Sequence, residues 1–286
     1  MKWQADARIM WQEVSRQILA VPSDNSLRLI VLAAHPDDEI IGASELLARF
    51  PDFLVVYLTD GAPRDSRFWT GGPYDSREHY ANTRRAEAIR ALSYADIPKE
   101  NLCWLGATDQ ESSFEMSFFV AAFASLLERM QPDAIVTHSY EGGHPDHDTA
   151  AAIAQMTASQ DRFANCAVVE MTSYHARDGR CVTGEFLNSP QLGKQRLDTT
   201  TSEIAFDLSE SARERKRAML GAHVSQECVL EGFSVDRERL RLSPGYDFSQ
   251  PPHEGRLWYE SLGWPMTGAL WRELARTANL QERSCA

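Results

Sequence analysis

The sequence predicts an α/β fold, a Rossmann-like three-layer sandwich with a mostly parallel sheet, followed by an irregular C-terminal extension. Three observations predict it. Apolar runs of strand length alternate with segments of helical periodicity over the first two-thirds of the 286 residues. Two acidic-histidine clusters, His35-Pro36-Asp37-Asp38-Glu39 and His144-Pro145-Asp146-His147, each lie past a predicted strand. Parallel sheets bind ligands beyond the carboxyl ends of their strands, so both clusters fall on the binding edge and can meet there.

The elements follow in order. Met1 to Ala20 carries Met10, Trp11, Val14 and Ile18 at helical spacing and reads as an amphipathic helix packed on the domain. It lacks the apolar core and cleavage site of a signal peptide. Leu27 to Ala34 is a near-continuous apolar run, as a strand buried on both faces requires. A helix follows, with Ile40, Ala43, Leu47 and Phe50 on one face. Phe53 to Thr59 is the second strand, closed by Asp60-Gly61, and Ala62 to Asp75 is a polar loop. A helix runs from about Glu78 to Ala95, and Leu102 to Leu105 is a short strand. Ser112 and Glu115 fit a capping box for a helix that turns Phe119, Phe123, Leu126, Leu127 and Met130 inward. Ala134 to Thr137 is a strand, a helix begins near Asp148, and Ala167 to Tyr174 is the next strand. Thr201 to Leu208 fits a strand and Ser211 to His223 a helix, with Ser211 and Glu214 as its capping box. From Ser243 onward Pro, Gly and aromatics crowd into an irregular tail. No repeat or composition break marks a linker. Residues 1–286 therefore read as one domain: N-terminal helix 1–20, catalytic core about 27–226, aromatic-rich tail 227–286.

Composition narrows the function. Asp and Glu total 41 against 29 Lys and Arg, a net charge of -12. Phosphate-gripping proteins gain affinity from clustered cations, so nucleic acid is not an expected partner. No stretch approaches the roughly 20 apolar residues of a membrane span. The five cysteines are widely spaced and form no CxxC, which points to the cytoplasm and away from thiolate ligation. Oligomeric state is not legible.

The clusters carry the chemistry. His35 and Asp38 are three apart at one strand-to-helix turn, and His144 and His147 are three apart at the other. Either pair could lend one or two ligands to a divalent metal. A nitrogen and oxygen donor set suits Zn2+, with Fe2+ or Co2+ also compatible. Asp37, beside Asp38, is the natural carboxylate to take a proton from an activated water. The remaining imidazole, His144 or His147, could stabilise the oxyanion formed when water attacks a carbonyl. Asp37 or Asp38 alone would more often be a helix cap; two such clusters on one sheet edge are hard to assign to capping.

These residues resemble the PIG-L/LmbE-like zinc-dependent de-N-acetylases. Thr59-Asp60-Gly61 is similar to that family's strand-end TxG, Arg84 and Glu87 to its RxxE helix, and Lys216 to Gln226 to its later helix ending in HxSQ. The matches span about residues 27 to 226. The resemblance implies that His35, Asp38 and His147 bind zinc, that Asp37 is the general base and that His144 assists the tetrahedral intermediate. Asp146 would orient a neighbouring imidazole. The implied reaction removes acetyl, or another N-acyl group, from an amino sugar or glycoconjugate. Some members carry a Tyr two positions before the histidine of HPDH; here that position is Gly142, and Tyr140 or Glu141 could approach the substrate instead. Nothing beyond Gln226 carries the resemblance.

Other residues divide between function and packing. Arg64 could hold a sugar hydroxyl or phosphate, or simply be a solvated loop arginine. Trp69, Trp258, Trp264 and Trp271 could stack on a sugar or fill the core. Arg84 and Glu87, three apart on a helix, are expected to pair with each other, and His223 to cap its helix. His79, His138, His175 and His253 show no partner in sequence. The competing function is a non-catalytic sugar or nucleotide-sugar binding protein on the same fold. Dinucleotide binding is disfavoured, because no GxGxxG follows the first strand.

Overall fold

A computed structural model describes residues 2–20, 27–188 and 203–285 of the protein. Five strands, β1 (Leu29–Ala33), β2 (Phe53–Thr59), β3 (Leu102–Ala107), β4 (Ala134–His138) and β5 (Ala167–Met171), pair in parallel in the order β3-β2-β1-β4-β5. Two antiparallel strands, β9 (Arg237–Leu242) and then β8 (Glu203–Asp207), extend the sheet beyond β5.

Alternation along the strands builds the layers, because successive side chains point to opposite faces. Ile30, Leu32, Val56, Leu58, Ile135 and Val168 share one core with α4 (Met116–Met130) and α5 (Pro145–Ala158). Leu29, Val31, Val55, Tyr57, Val136 and Val169 share the other with α2 (Asp38–Arg49) and α3 (Arg77–Ser93). In α1 (Lys2–Leu19) the predicted stripe holds, with Trp11, Val14 and Ile18 buried and Met10 packed against the second core. The chain reverses its direction across the sheet at the β1–β4 junction, which opens a crevice where ligands bind in such folds.

Several local expectations are corrected. The apolar run Ala167 to Tyr174 leaves the sheet after Met171. Tyr174–Arg177 is β6, paired with β7 (Arg180–Thr183) in a separate hairpin. Neither expected capping box forms. Ser112–Glu115 is a tight 3-10 turn, and the Ser112 hydroxyl is spent on Asp146. Ser209 rather than Ser211 caps α6 (Glu210–Gly221), accepting from the Ala212 N–H. The tail is more regular than expected: between the single turns α7 (Glu227–Leu230) and α8 (Trp258–Ser261) it supplies β9 to the sheet, and α9 (Gly268–Cys285) is a long helix packed on α4 and α5. Its Trp271 is fully buried and donates to Pro145 O and Thr149 Oγ1 at the start of α5. Part of the predicted strand from Thr201, residues 201–202, lies outside the described residues. Among the described residues, no helix is long and apolar enough to cross a membrane.

One buried charge pair holds the layers in register. Lys216 of α6 donates to Glu238 of β9 at 2.9 Å and to Ile41 O of α2 at 2.8 Å, with both charged side chains fully buried. Lys216→Met strands the Glu238 carboxylate without its counter-charge. It is expected to cost about 3–5 kcal/mol in urea unfolding, whereas Lys216→Met with Glu238→Leu recovers most of that loss. Equal midpoints for Lys216→Met and the parent would contradict this.

Candidate metal centre and catalytic site

The first cluster sits where β1 turns into α2. Asp37 is the helix N-cap, with φ 133° and ψ -28°, a conformation that L-residues rarely adopt. Such a backbone costs on the order of 1–3 kcal/mol and persists only where the surroundings impose it. Here they do. The Asp37 N–H donates to the Glu39 carboxylate at 3.1 Å, Tyr57 Oη fixes that carboxylate at 2.7 Å, and Arg84 grips Asp37 Oδ2 at 2.8 Å. The second cluster opens α5. His144 is its N-cap, with Nδ1 accepting the Asp146 N–H at 3.1 Å, and His147 lies in the first turn.

Topology brings the clusters into contact. Asp38 Oδ2 lies 3.2 Å from His35 Nδ1 and its Oδ1 lies 3.2 Å from His147 Nε2. Asp38 thus touches both imidazoles expected beside it as ligands. His35 Nε2 faces Asp109 and Asp146, each at 3.2 Å. The donors also gather in overlapping groups: His35 with His144 and His147, Asp38 with His138 and His147, and His35 with Asp109, His144 and Asp146. His147 is common to the first two. All are buried, the donor atoms within each group lie within 4.8 Å of one another, and imidazoles with carboxylates suit a divalent cation.

Electrostatics favour ligation by His147 and Asp38, whereas His35 holds a proton that a cation would have to displace. Burial pushes His147 down to about 4, so its lone pair is free at neutral pH. Burial opposes charge on Asp38, but His147 and His138 outweigh it and hold the carboxyl well below its usual range. Burial likewise opposes charge on His35, and Asp109, Asp146 and Asp38 reverse that to raise it well above the usual imidazole value. Asp37 is pushed up to about 7 by burial against the pull of Arg84. Burial, helped by His35, keeps His144 well below the usual value and therefore neutral.

The weaker motifs form a scaffold under the base. Arg84 and Glu87 do not pair with each other. Arg84 donates to Asp37, Pro36 O and Gly61 O, while Glu87 accepts from the backbone N–H and hydroxyl of Ser225. Gly61 has φ 67°, and a Cβ there would lie 2.8 Å from the Arg84 guanidinium, so glycine is required. Thr59 Oγ1 donates to Ala34 O and accepts the Gly61 N–H. Gln226 reaches the Tyr80 hydroxyl at 2.6 Å. The TxG, RxxE and HxSQ segments therefore converge on the carboxylate of Asp37 and the wall around it.

A cavity of about 630 Å³ opens over these groups, lined at its floor by His35, Asp37, Asp38, Asp109, His144 and His147. Of the residues the sequence offered for substrate contact, Trp258 and Trp264 line it, and Arg64, Trp69, Tyr140, Glu141 and Trp271 do not. Arg64 is exposed and pairs with Glu111. Trp69 stacks on Tyr80 and donates to Pro63 O. Tyr140 is buried against Trp271 and bonds Gln250 O. Glu141 is buried, accepting from the Leu187 N–H with His175 and Arg241 close by. Gly142 has φ 69° and a Cβ there would meet Leu257 at 2.7 Å, so this chain has no room for a tyrosine at that position.

Two site residues escaped the sequence reading. Asp109 follows β3, and its position past a strand end was the available signal. His138 ends β4, accepts the Ala34 N–H at 3.1 Å and stacks on His147 with ring centroids 3.9 Å apart. Asp146 does meet an imidazole, His35, and is itself held by the Gln110 N–H and by Ser112.

His223 does not cap its helix through its ring. The ring is buried, neither nitrogen has a hydrogen-bond partner, and burial pushes its pKa down to about 3. The unfolded chain takes up this proton near pH 6.5 and the folded chain only near 3. This contribution to stability is therefore full above pH ~6.5 and falls as the pH drops, by about 2 kcal/mol at pH 5. His223→Leu is expected to flatten that acid limb in unfolding experiments at pH 7 and 5; an unchanged slope would contradict it.

Comparison with known proteins places this geometry. Residues 30–158 match the family model for GlcNAc-PI de-N-acetylase, PIG-L. The chain is 32% identical over 124 residues to a probable N-acetyl-alpha-D-glucosaminyl L-malate deacetylase 2 of Bacillus subtilis, covering 42% of this chain and 55% of that protein. It is 28% identical over 155 residues to a 1D-myo-inositol 2-acetamido-2-deoxy-alpha-D-glucopyranoside deacetylase of Corynebacterium diphtheriae, covering 46% and 52%. The chain thus spans about half the length of the curated relatives it matches. Among solved structures it resembles the pseudoaglycone deacetylase Dbv21, with a TM-score of 0.56, 17% identity, and 78% of this chain and 100% of that one covered. It also resembles the N,N'-diacetylchitobiose deacetylase of Pyrococcus horikoshii, with a TM-score of 0.54, 17% identity, and 82% and 91% covered. At such identities the structural likeness speaks for the fold.

Proposed function

We propose that this chain, which matches the PIG-L family model over residues 30–158, is a metal-dependent hydrolase that removes an N-acetyl or other N-acyl group from an amino sugar or glycoconjugate. The observation that carries this is Asp37, a carboxylate aimed by a buried arginine beside a buried cluster of imidazoles and carboxylates, all opening on one cavity. His35, Asp38 and His147 would hold the cation, with Zn2+ our assignment and Fe2+ or Co2+ alternatives. When bound, it supplies Lewis acidity toward the acyl carbonyl and lowers the pKa of a water.

The protein's own groups carry the proton. Asp37 takes one from the attacking water as its oxygen adds to the acyl carbon, then returns it to the amide nitrogen as the C–N bond breaks. A free amine and a carboxylate leave. Arg84 keeps Asp37 oriented through both steps. His144 accepts the Asp146 N–H on Nδ1, so the neutral ring carries its proton on Nε2 and can donate to the acyl oxygen as charge develops there. Asp146 fixes His35 from behind.

The relatives are named as deacetylases of N-acetylglucosamine conjugates, and a small amino-sugar conjugate is the partner we assign. Cys103, Cys166, Cys181 and Cys228 are free, which suits a cytoplasmic setting. We read residues 1–286 as one catalytic domain. The test is acetate release from a panel of N-acetyl amino sugars by purified protein, before and after chelation and with metal restored. Activity is expected to vanish on chelation and return with one of the three metals. A metal-loaded, folded protein that hydrolyses no N-acyl sugar but binds one would overturn the enzyme in favour of a binding protein.

A further inference from the structure

We infer that the mouth of this cavity is a subsite for an apolar, uncharged aglycone, so that the substrate is an amino-sugar glycoside rather than a free or acidic amino sugar. The inference rests on the reaction proposed above and adds a substrate class to it.

The cavity changes character with depth. Its floor is the cluster of imidazoles and carboxylates already described. At 630 Å³ it matches pockets that hold ligands of drug size, about 300–1,000 Å³, and exceeds what a lone N-acetylhexosamine fills. From the floor rise two series of aromatic rings. His144 meets the Trp264 ring at 4.6 Å between centroids, and Trp264 meets Phe68 at 5.9 Å. His147 meets Tyr174 at 5.1 Å, and Tyr174 meets Phe233 at 6.1 Å. All four rings line the cavity. They come from separate parts of the chain: the loop after β2, the tail before α9, the β6–β7 hairpin and the segment after α7. A sugar seated with its acyl group at Asp37 would direct its far side between them.

Two further facts select the chemistry. Val229 and Leu262 line the same mouth and are 50% and 45% exposed, so apolar surface lies in water there until something covers it. Charge is poorly served. Among the described residues lining the cavity, the arginines are Arg67 and Arg84, and His35 is held among Asp38, Asp109 and Asp146. Arg84 is buried and committed to Asp37, Pro36 O and Gly61 O, and Arg67 is paired with Asp65. A phosphate or carboxylate on the aglycone would meet, of these cations, the exposed Arg67 alone, already paired with Asp65, amid rings and aliphatic side chains. An apolar group finds rings and aliphatic side chains, which recognise it by burial.

The experiment compares kcat/KM for N-acetylglucosaminides bearing methyl, phenyl, hexyl or carboxymethyl aglycones, with N-octanoylglucosamine as a separate arm. Phenyl and hexyl glycosides are expected to exceed the methyl glycoside by at least ~10-fold, as apolar increments in a pocket give. Phe233→Ser and Leu262→Ser are expected to shrink that ratio toward one. No preference, or preference for the carboxymethyl glycoside, overturns the inference. A preference for N-octanoylglucosamine assigns the apolar walls to the acyl chain and overturns the aglycone assignment. Binding separates this from the reaction itself. In chelated protein, quenching of tryptophan fluorescence by hexyl and methyl glucosaminides reads the subsite without turnover. About tenfold tighter binding of the hexyl glycoside supports the subsite even if no N-acyl sugar is hydrolysed, and equal affinities overturn it.

Discussion

Asp37→Asn is expected to lower kcat for N-acyl amino-sugar hydrolysis by at least ~10³-fold while the protein stays folded and keeps its metal. General-base catalysis by a positioned carboxylate contributes roughly 10²–10⁴-fold, and here the same group also returns the proton to the leaving amine. Asparagine is the informative substitution because its amide oxygen can still accept from Arg84, which otherwise sits buried with a stranded charge. Asparagine also tolerates positive φ better than most residues, and position 37 has φ 133°. Asp37→Ala would mix loss of the base with damage to the Arg84 network. The loss should fall on kcat more than on KM. Full activity in a folded, metal-loaded Asp37→Asn protein would end the assignment of the base.

His147→Ala is expected to abolish stable metal binding, with elemental analysis falling from about one equivalent to a small fraction and turnover falling with it. His147 belongs to two of the overlapping donor groups, as His35 and His144 also do, and its Nε2 lies 3.2 Å from Asp38. Catalytic zinc sites hold the ion with three protein ligands, so losing one of three leaves too few. His138→Gln is the companion measurement. His138 stacks on His147 and approaches Asp38 at 3.4 Å, yet our ligand set omits it, so this variant should keep its metal. Unchanged metal in His147→Ala, or metal lost only in His138→Gln, would redraw that set.

The two acidic-histidine clusters were readable because each is contiguous and follows a strand whose apolar run marks it as buried. Their meeting was readable too, because parallel strands deliver their loops to one edge. Misreadings arose where a local rule competed with a distant partner. Arg84 and Glu87 satisfy the helical spacing for a surface pair, but both are buried, and a buried charge takes the best partner that the fold presents. Ser112 fits a capping box, but Asp146, distant in sequence, claims its hydroxyl. Tyr140 and Glu141 stand near His144 in sequence, yet their side chains enter the core and an ion network.

The sequence by itself determined the layer architecture, the two clusters and their order along the chain, because strand burial, helical periodicity and turn chemistry are local properties. Tertiary structure alone decided which groups face one another. It added Asp109 and His138 to the site, gave Arg84 to Asp37, closed position 142 with Leu257 and assembled the aromatic walls from four distant segments. The physical reason is that charges and rings in a dry interior are satisfied by proximity in space, which spacing along the chain does not record.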